Sequence, residues 1–334
     1  VISRIIYAAK NDGLRELQRL VMETLNRLLT QAAAHAGVDT HDIYKTTVAG
    51  NSAMIHLFLG LPPESIRLSP FVTGANQPPP VRAGELGLAL YPQATVDCLP
   101  GVASYVGADI SAGVVSSGMS TAEQLTLFLD IGTNGETVLG TREWLLCCAC
   151  SAGPAFEGAG VEHGMRATTG AIEEVWLDQQ NHEPAYRVIG DVRPAGLCGS
   201  GQIALLAELF ITGAMDRSGN LNRKLDTPRI RTGQHGSEYV VAWASETAHA
   251  RDIVLTKVDI DNLLRAKAAI YAGFTVLCRS VGVDPADVSQ VLIGGAFGQY
   301  INIEKAIQIG LLPDLPWERF RFLGNTSVQG AYLA

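Results

Sequence analysis

The sequence predicts an α/β protein of two related lobes, each a mixed sheet flanked by helices, and three observations carry that reading. Short apolar, β-branched runs alternate with segments of helical period along most of the 334 residues. The order of these elements repeats: the second half reads β-β-β-α-insert-α-β-α-β-α and the first α-β-α-β-α, the same unit without its opening three strands. Glycine-bearing turns close two of the runs, where a chain reverses or approaches a neighbour most easily. The lobes are expected over residues 1–120 and 121–334, the second with helical insertions. Val1-Ile2-Ser3-Arg4 reads as a start in mid-domain and residues 328–334 as an incomplete helix, so the chain looks clipped at both ends.

Each element has its own warrant. Leu14, Leu17, Val21, Leu25, Leu28 and Leu29 fall on one face of a helix. Tyr44-Lys45-Thr46-Thr47-Val48 then reads as a strand, and Ala49-Gly50-Asn51 introduces a helix through Met54 and Leu57. A proline-rich connection over residues 60–92 leads to a strand near Thr95-Val96-Asp97-Cys98-Leu99 and a helix from Tyr105 to Val115. Three strands follow from Leu125 onward, then a helix opened by Gly199-Ser200-Gly201, with Ser200 a candidate N-cap. A long helix from Val258 to Arg279 starts at Thr256, which with Asp259 resembles a capping box. Val291-Leu292-Ile293 is a strand, Ile303 to Ile307 a helix, and Phe320-Arg321-Phe322-Leu323 the last strand.

Composition excludes several classes of function. Charged residues make up 17% of the chain, the net charge is −8, and the 25 Lys and Arg residues are scattered, so a nucleic-acid partner is not expected. No apolar stretch reaches spanning length, no signal peptide opens the chain, and a cytoplasmic protein is expected. Of the six cysteines, Cys147, Cys148 and Cys150 crowd one strand. Alternation sends Cys148 and Cys150 to one face and Cys147 to the other, which favours reduced, buried thiols over disulfides or a complete metal site.

The most informative stretch is Asp130-Ile131-Gly132-Thr133-Asn134-Gly135-Glu136, directly after Leu125-Thr126-Leu127-Phe128-Leu129. Asp130 closes a buried run, so its carboxylate reaches the rim of a sheet, where it can hold a magnesium-bound water. Gly132 and Gly135 are expected at positive φ, bringing N–H groups to an anion, with Thr133 and Asn134 adding side-chain donors. The same pattern also describes an ordinary tight turn. Gly294-Gly295-Ala296-Phe297-Gly298 joins a strand to a helix, and its small residues suit a flat ring laid on backbone, adenine being the natural candidate; a close-packed turn reads equally well. Gly196-Leu197-Cys198-Gly199-Ser200-Gly201 opens an apolar helix, whose free N–H groups attract phosphate or ribose. No GxxxxGK[ST] pattern follows a strand.

These segments, together with Val48-Ala49-Gly50-Asn51-Ser52-Ala53-Met54-Ile55-His56, Gly153-Pro154-Ala155-Phe156-Glu157-Gly158 and Ala266-Lys267-Ala268-Ala269-Ile270, resemble the acetate and sugar kinase, heat-shock chaperone and actin (ASKHA) superfamily. Within it the chain resembles, over essentially its whole length, the ATP-dependent reductive activators of corrinoid proteins. The resemblance implies two ribonuclease-H-like lobes of the actin, hexokinase and Hsp70 type with an ATP cleft between them. It implies a cytoplasmic, homodimeric ATPase that helps return Co(II) corrinoid on a partner protein to Co(I). A [2Fe–2S] domain supplying the electron, and a first phosphate turn, are expected before Val1 and not in this chain.

The resemblance also distributes roles. Asp130 would hold magnesium through water, and Gly132, Thr133, Asn134 and Gly135 would contact the phosphates. Gly199, Ser200 and Gly201 would meet phosphate or ribose, and Gly294, Gly295 and Ala296 would lie against adenine or ribose. Asp109, at a helix start, and Glu136 compete for orienting the attacking water, although an acid at a helix start is also favourable electrostatics and Glu136 could instead support the magnesium from behind its direct ligands. Lys267, buried by pattern, is divided between the nucleotide and an apolar surface along which its stem can lie. His56 reads as a satisfied core histidine, and His163 lies in a glycine-rich loop. A small-molecule kinase of the same superfamily and a non-catalytic module for dimerisation or partner capture are the rival readings.

Overall fold

The computed structural model describes residues 1–295 and 301–334. Two compact units are present, one of residues 1–121 with 325–334, the other of residues 122–324.

In the first unit, α1 (Ile2–Ala8) and α2 (Gly13–Ala36) precede β1 (Lys45–Val48) and α3 (Ser52–Leu59). Two short helices, α4 (Glu64–Arg67) and α5 (Ala83–Leu86), flank β2 (Val81–Arg82), and β3 (Thr95–Cys98) and α6 (Ala108–Ser116) follow. β3 lies between β1, which it pairs in parallel, and the antiparallel β2. The apolar stripe of α2 does its expected work, with Val21, Leu25 and Leu29 against a core of Ile55, Phe58, Leu90 and Val96. Met22 and Ala33 are the helix's buried apolar residues, while Leu28 stays 50% exposed. Asn51 caps α3 by accepting from the Met54 N–H at 3.0 Å, which supplies one of the partners a helix start lacks.

His56 is the expected core histidine. It is 0% exposed, donates from Nδ1 to the Ser52 carbonyl at 2.6 Å, and accepts at Nε2 from the N–H groups of Gly74 (2.9 Å) and Ala75 (3.3 Å). It thereby pins part of the proline-rich connection to α3, and every polar atom of the ring is matched.

The second unit is built on a five-stranded sheet in the order β14-β13-β4-β5-β6. β4 (Thr126–Asp130), β5 (Glu136–Thr141) and β6 (Trp144–Ala149) form an antiparallel meander, as expected. β13 (Gln290–Gly294) adds in parallel to β4, and β14 (Phe320–Gly324) in parallel to β13. β4 is buried along its first four residues, which is why it reads as a continuous apolar run. Between β6 and β13 come β7 (Ala171–Leu177), β8 (Pro184–Val188) and β9 (Gly196–Leu197), then α7 (Gly199–Ile211), then β10 (Ile230–Gly233), β11 (Gly236–Ala242) and β12 (Ile253–Thr256), then α8 (Lys257–Ser280). α9 (Ile303–Gln308) joins β13 to β14.

The insertions expected to be helical are therefore two three-stranded sheets, β8-β7-β9 and β10-β11-β12. Their strands carry charge that reads as loop: Arg187 pairs with Glu173 and Glu174, and Arg231 with Glu238 and Asp252, across strands and loops that sequence separation hides. A second difference lies at the end of the chain. α10 (Thr326–Leu333) belongs to the first unit, where the Ser116 hydroxyl donates to the Thr326 carbonyl at 2.8 Å, instead of completing the second lobe.

Two helix starts in this unit can be compared with expectation. The capping box on α8 is complete: Thr256 Oγ1 accepts from the Asp259 N–H at 3.1 Å and Asp259 Oδ2 from the Thr256 N–H at 3.0 Å. On α7 the N-cap is Cys198 and not Ser200, which sits inside the first turn.

Candidate functional site

The Asp130 hairpin and the Gly294 turn meet. Because β13 pairs with β4, Gly294 stands opposite Asp130, and the Ile131 N–H donates to the Gly294 carbonyl at 3.1 Å. Gly295 follows at φ +97°, and a Cβ there would lie 2.5 Å from the Ile131 carbonyl oxygen and 3.2 Å from Asp130 Oδ1. Only glycine allows that approach. Ala296 lies outside the described residues.

Across the hairpin, Asp130 pairs with Glu136 and the residues between them form the turn. Of its two glycines only Gly135 has positive φ, +69°; the expected positive φ at Gly132 is not found. The far side of the turn is tied to the segment after β6, since the Cys150 N–H donates to the Gly135 carbonyl and the Ala152 N–H to the Asn134 carbonyl, each at 2.7 Å. These bonds hold the base of the turn while Gly132, Thr133 and Asn134 stay half-exposed at its tip.

A second carboxylate completes this corner, and sequence reasoning gave it no role. Glu157 Oε2 accepts from the Thr133 hydroxyl at 2.7 Å. A Cβ on Gly132 would stand 3.7 Å from Asp130 Oδ1 and 3.8 Å from Glu157 Oε1, so the bare glycine lies between two carboxylates. Glu157 is held there by a short 3-10 turn, Ala155–Glu157, whose Ala155 and Phe156 are buried and whose end is Gly158 at φ +87°. The signal was legible in Gly153-Pro154-Ala155-Phe156-Glu157-Gly158: a proline and a glycine bracket one carboxylate on a rigid turn.

This corner fits magnesium. Its donors are hard carboxylate oxygens, and among the described residues no group of three or more His, Cys, Asp or Glu gathers as an all-protein cage. Magnesium characteristically binds one or two carboxylates, keeps waters and takes substrate phosphate as the rest of its shell.

The other residues singled out in the sequence fall in distinct places. Glu136 is 6% exposed at the start of β5, so its carboxylate is a buried one. Asp109 is the second residue of α6, in the first unit; burial pushes its carboxyl above the usual range, against a hydrogen bond from the Ile110 N–H. Gly199, Ser200 and Gly201 are buried. A Cβ on Gly201 would lie 2.1 Å from the Ile172 carbonyl oxygen, so this glycine serves the contact of α7 with β7.

Lys267, expected to be buried, is half-exposed on α8, and its partial burial lowers its pKa. It lines a cavity of about 310 Å³ together with Phe210, Asp216, Arg217, Leu264 and Ile309. Apolar walls with a few polar groups at the edge are what a heterocyclic base requires. His163 stacks on His249 with ring centroids 6.0 Å apart, and burial lowers its pKa. Cys147, Cys148 and Cys150, expected buried, are half-buried and unbridged. No helix among the described residues is long and apolar enough to cross a membrane.

Comparison with known proteins places the chain in a family. Residues 124–334 match the C-terminal domain of RACo, the ASKHA domain, and residues 1–122 match the RACo middle region. The chain is 37% identical over 341 residues to the corrinoid activation enzyme RamQ of Eubacterium limosum, covering 100% of this chain and 57% of that protein. It is 26% identical over 249 residues to the Co(II) methylated amine-specific corrinoid protein reductase of Methanosarcina barkeri, covering 69% of this chain and 42% of the other. A solved structure titled reductive activator for corrinoid, iron-sulfur protein superposes with a TM-score of 0.91 at 48% identity, over 99% of this chain and 53% of that one. The chain thus spans about half the length of the relatives it matches.

Proposed function

Because the chain belongs to the RACo family and spans its middle region and its C-terminal ASKHA domain, we propose that it is the nucleotide-binding part of a reductive activator, binding and hydrolysing ATP to drive a partner corrinoid protein from Co(II) to Co(I). The observation that carries the reading is the meeting of the Asp130 hairpin with the Gly294–Gly295 turn, which brings a carboxylate rim and a side-chain-free backbone surface to one corner.

Magnesium bound there would supply charge neutralisation to the phosphates. Asp130 and Glu157 would hold the waters of that ion from either side of Gly132. Thr133, whose hydroxyl now donates to Glu157, would turn it to a phosphate oxygen, and the backbone of residues 132–135 would add N–H donors. The base would enter the cavity beside Lys267, with Gly294 and Gly295 against the base or ribose. Asp109 or Glu136 would orient the attacking water. Hydrolysis of this kind needs positioning and electrostatic stabilisation more than covalent chemistry, and these groups provide both.

Transfer of an electron to a low-potential cobalt is uphill, so nucleotide energy must appear as a change in how the corrinoid is held. Nucleotide that binds one form of the protein better than another shifts the population toward it, and hydrolysis reverses the shift. Equal affinity for both forms would move nothing. A homodimer in the cytoplasm, with the electron delivered from a [2Fe–2S] domain, completes the proposal.

Titration calorimetry with magnesium and a non-hydrolysable ATP analogue tests it. Saturable binding that requires magnesium and disappears in Asp130→Ala, with an unchanged circular dichroism spectrum, is the expected result. Equal affinity in the variant rejects the site.

A further inference from the structure

Cys147, Cys148 and Cys150 have no part in the reading above, yet two of them are arranged as a pair. Cys148 stands opposite Thr137 in the β5–β6 register, and Cys150, just past the end of β6, lies within 3.2 Å of the Thr137 hydroxyl. Both sulfurs face α8 at Gly273: a Cβ there would lie 2.4 Å from Cys150 Sγ and 3.5 Å from Cys148 Sγ. The absent side chain makes the room in which the two thiols meet. Cys147 points to the other face, as strand alternation requires.

We infer that Cys148 and Cys150 form a thiol–disulfide exchange centre, a modification site on the strand that braces the phosphate turn, and that its closure to an intramolecular disulfide weakens nucleotide binding. The second clause rests on the proposed function; the first stands on the pair alone.

The chemistry is that of an asymmetric dithiol. A hydrogen bond from Cys148 brings the Cys150 thiol down to about 7, and Thr137 adds to the effect against burial. The partner, Cys148, is pushed up, chiefly by that same bond. Cys150 is therefore the attacking thiolate at neutral pH. With a low-molecular-weight disulfide as oxidant, Cys150 Sγ attacks one sulfur, forming a mixed disulfide and releasing one thiolate. Cys148 then loses its proton and attacks Cys150 Sγ, releasing the second. Two electrons pass from the protein to the oxidant, and two small thiols leave.

Closure has a mechanical consequence. Alternate residues of an extended strand have Cα atoms about 6.6 Å apart, at the upper edge of the span, about 4.4–6.8 Å, that a disulfide bridges. Drawing Cys148 and Cys150 toward the commonest disulfide span, about 5.5–6 Å, shortens the chain at Ala149. That draws the Cys150 N–H away from the Gly135 carbonyl it now holds at 2.7 Å, and Gly135 adjoins Asn134 in the turn.

The test treats the chain with oxidised glutathione, alkylates remaining thiols and maps the peptides by mass. The expected product is a peptide two hydrogens lighter that joins Cys148 to Cys150. It should form in the unmutated chain and in Cys147→Ser but not in Cys148→Ser or Cys150→Ser, with a rate that rises through about pH 7. Full alkylation of both thiols, or a bond to Cys147, overturns the centre. Magnesium-dependent affinity for the ATP analogue, measured on both redox forms, is expected to fall roughly tenfold on oxidation and recover with dithiothreitol, as the loss of about one hydrogen bond implies. Equal affinity in the two forms overturns the coupling. A disulfide that forms in a chain binding no nucleotide in either state supports the centre and refutes the nucleotide reading.

Discussion

Gly132→Ala separates the fold of the Asp130 corner from its chemistry. A Cβ at 132 meets Asp130 Oδ1 at 3.7 Å and Glu157 Oε1 at 3.8 Å, which are ordinary contacts, and the residue is outside the positive-φ region. Nothing needs to move, so stability should hold, or rise by about 0.4–1 kcal/mol through a less flexible unfolded chain. The added methyl nevertheless projects between the two carboxylates where the ion's waters and a phosphate oxygen would sit. Loss of one charge-assisted hydrogen bond costs about 1.5–3 kcal/mol, roughly a 10- to 150-fold weaker affinity for the magnesium-bound analogue. Gly295→Ala is the contrast, since its Cβ would stand 2.5 Å from a backbone oxygen at φ +97°. Strain and overpacking there should cost about 2–5 kcal/mol of stability. Urea denaturation and calorimetry on both variants make the comparison. Unchanged affinity in Gly132→Ala refutes the corner as the ion site, and a loss of stability as large as that of Gly295→Ala refutes the geometry.

Two further outcomes are expected from the first unit. His56→Ala leaves the N–H groups of Gly74 and Ala75 and the Ser52 carbonyl without the ring that matches them. It should cost about 2–4 kcal/mol in urea denaturation and raise proteolysis within residues 60–80. Asp109 has its carboxyl pushed up by burial, so the native state holds a proton that the unfolded chain releases earlier. Stability is then fully present below the unfolded value and falls as pH rises through the folded one. Asp109→Asn should accordingly raise the thermal midpoint at pH 7 and give no such gain at pH 3; a gain of equal size at both would refute the burial argument.

Much of this was legible in the chain itself. Five strands of the second unit's central sheet, the capping box on α8, the helix after Asn51 and the satisfied His56 all follow from period, turn chemistry and local spacing, because each is decided within a few residues. The strands of the two inserted sheets were missed for the opposite reason. Their charges, such as Arg231 with Glu238 and Asp252, look like loop until a partner strand or loop matches them. The partition of Gly135 from Gly132 was hidden too, since the two glycines look alike in sequence and only one takes positive φ.

Sequence alone determined the strands of the central sheet and the long helices, the hairpin with its aspartate, and the likeness to one family, since these depend on local pattern and on motifs of fixed spacing. Only the tertiary structure decided that β13 lies beside β4 and so brings Gly294 to Asp130, that Glu157 faces the same glycine, and that two cysteines share the space left by Gly273. Those contacts join residues 24 to about 160 positions apart. Strand pairing and helix packing select such neighbours, and no periodicity along the chain encodes them.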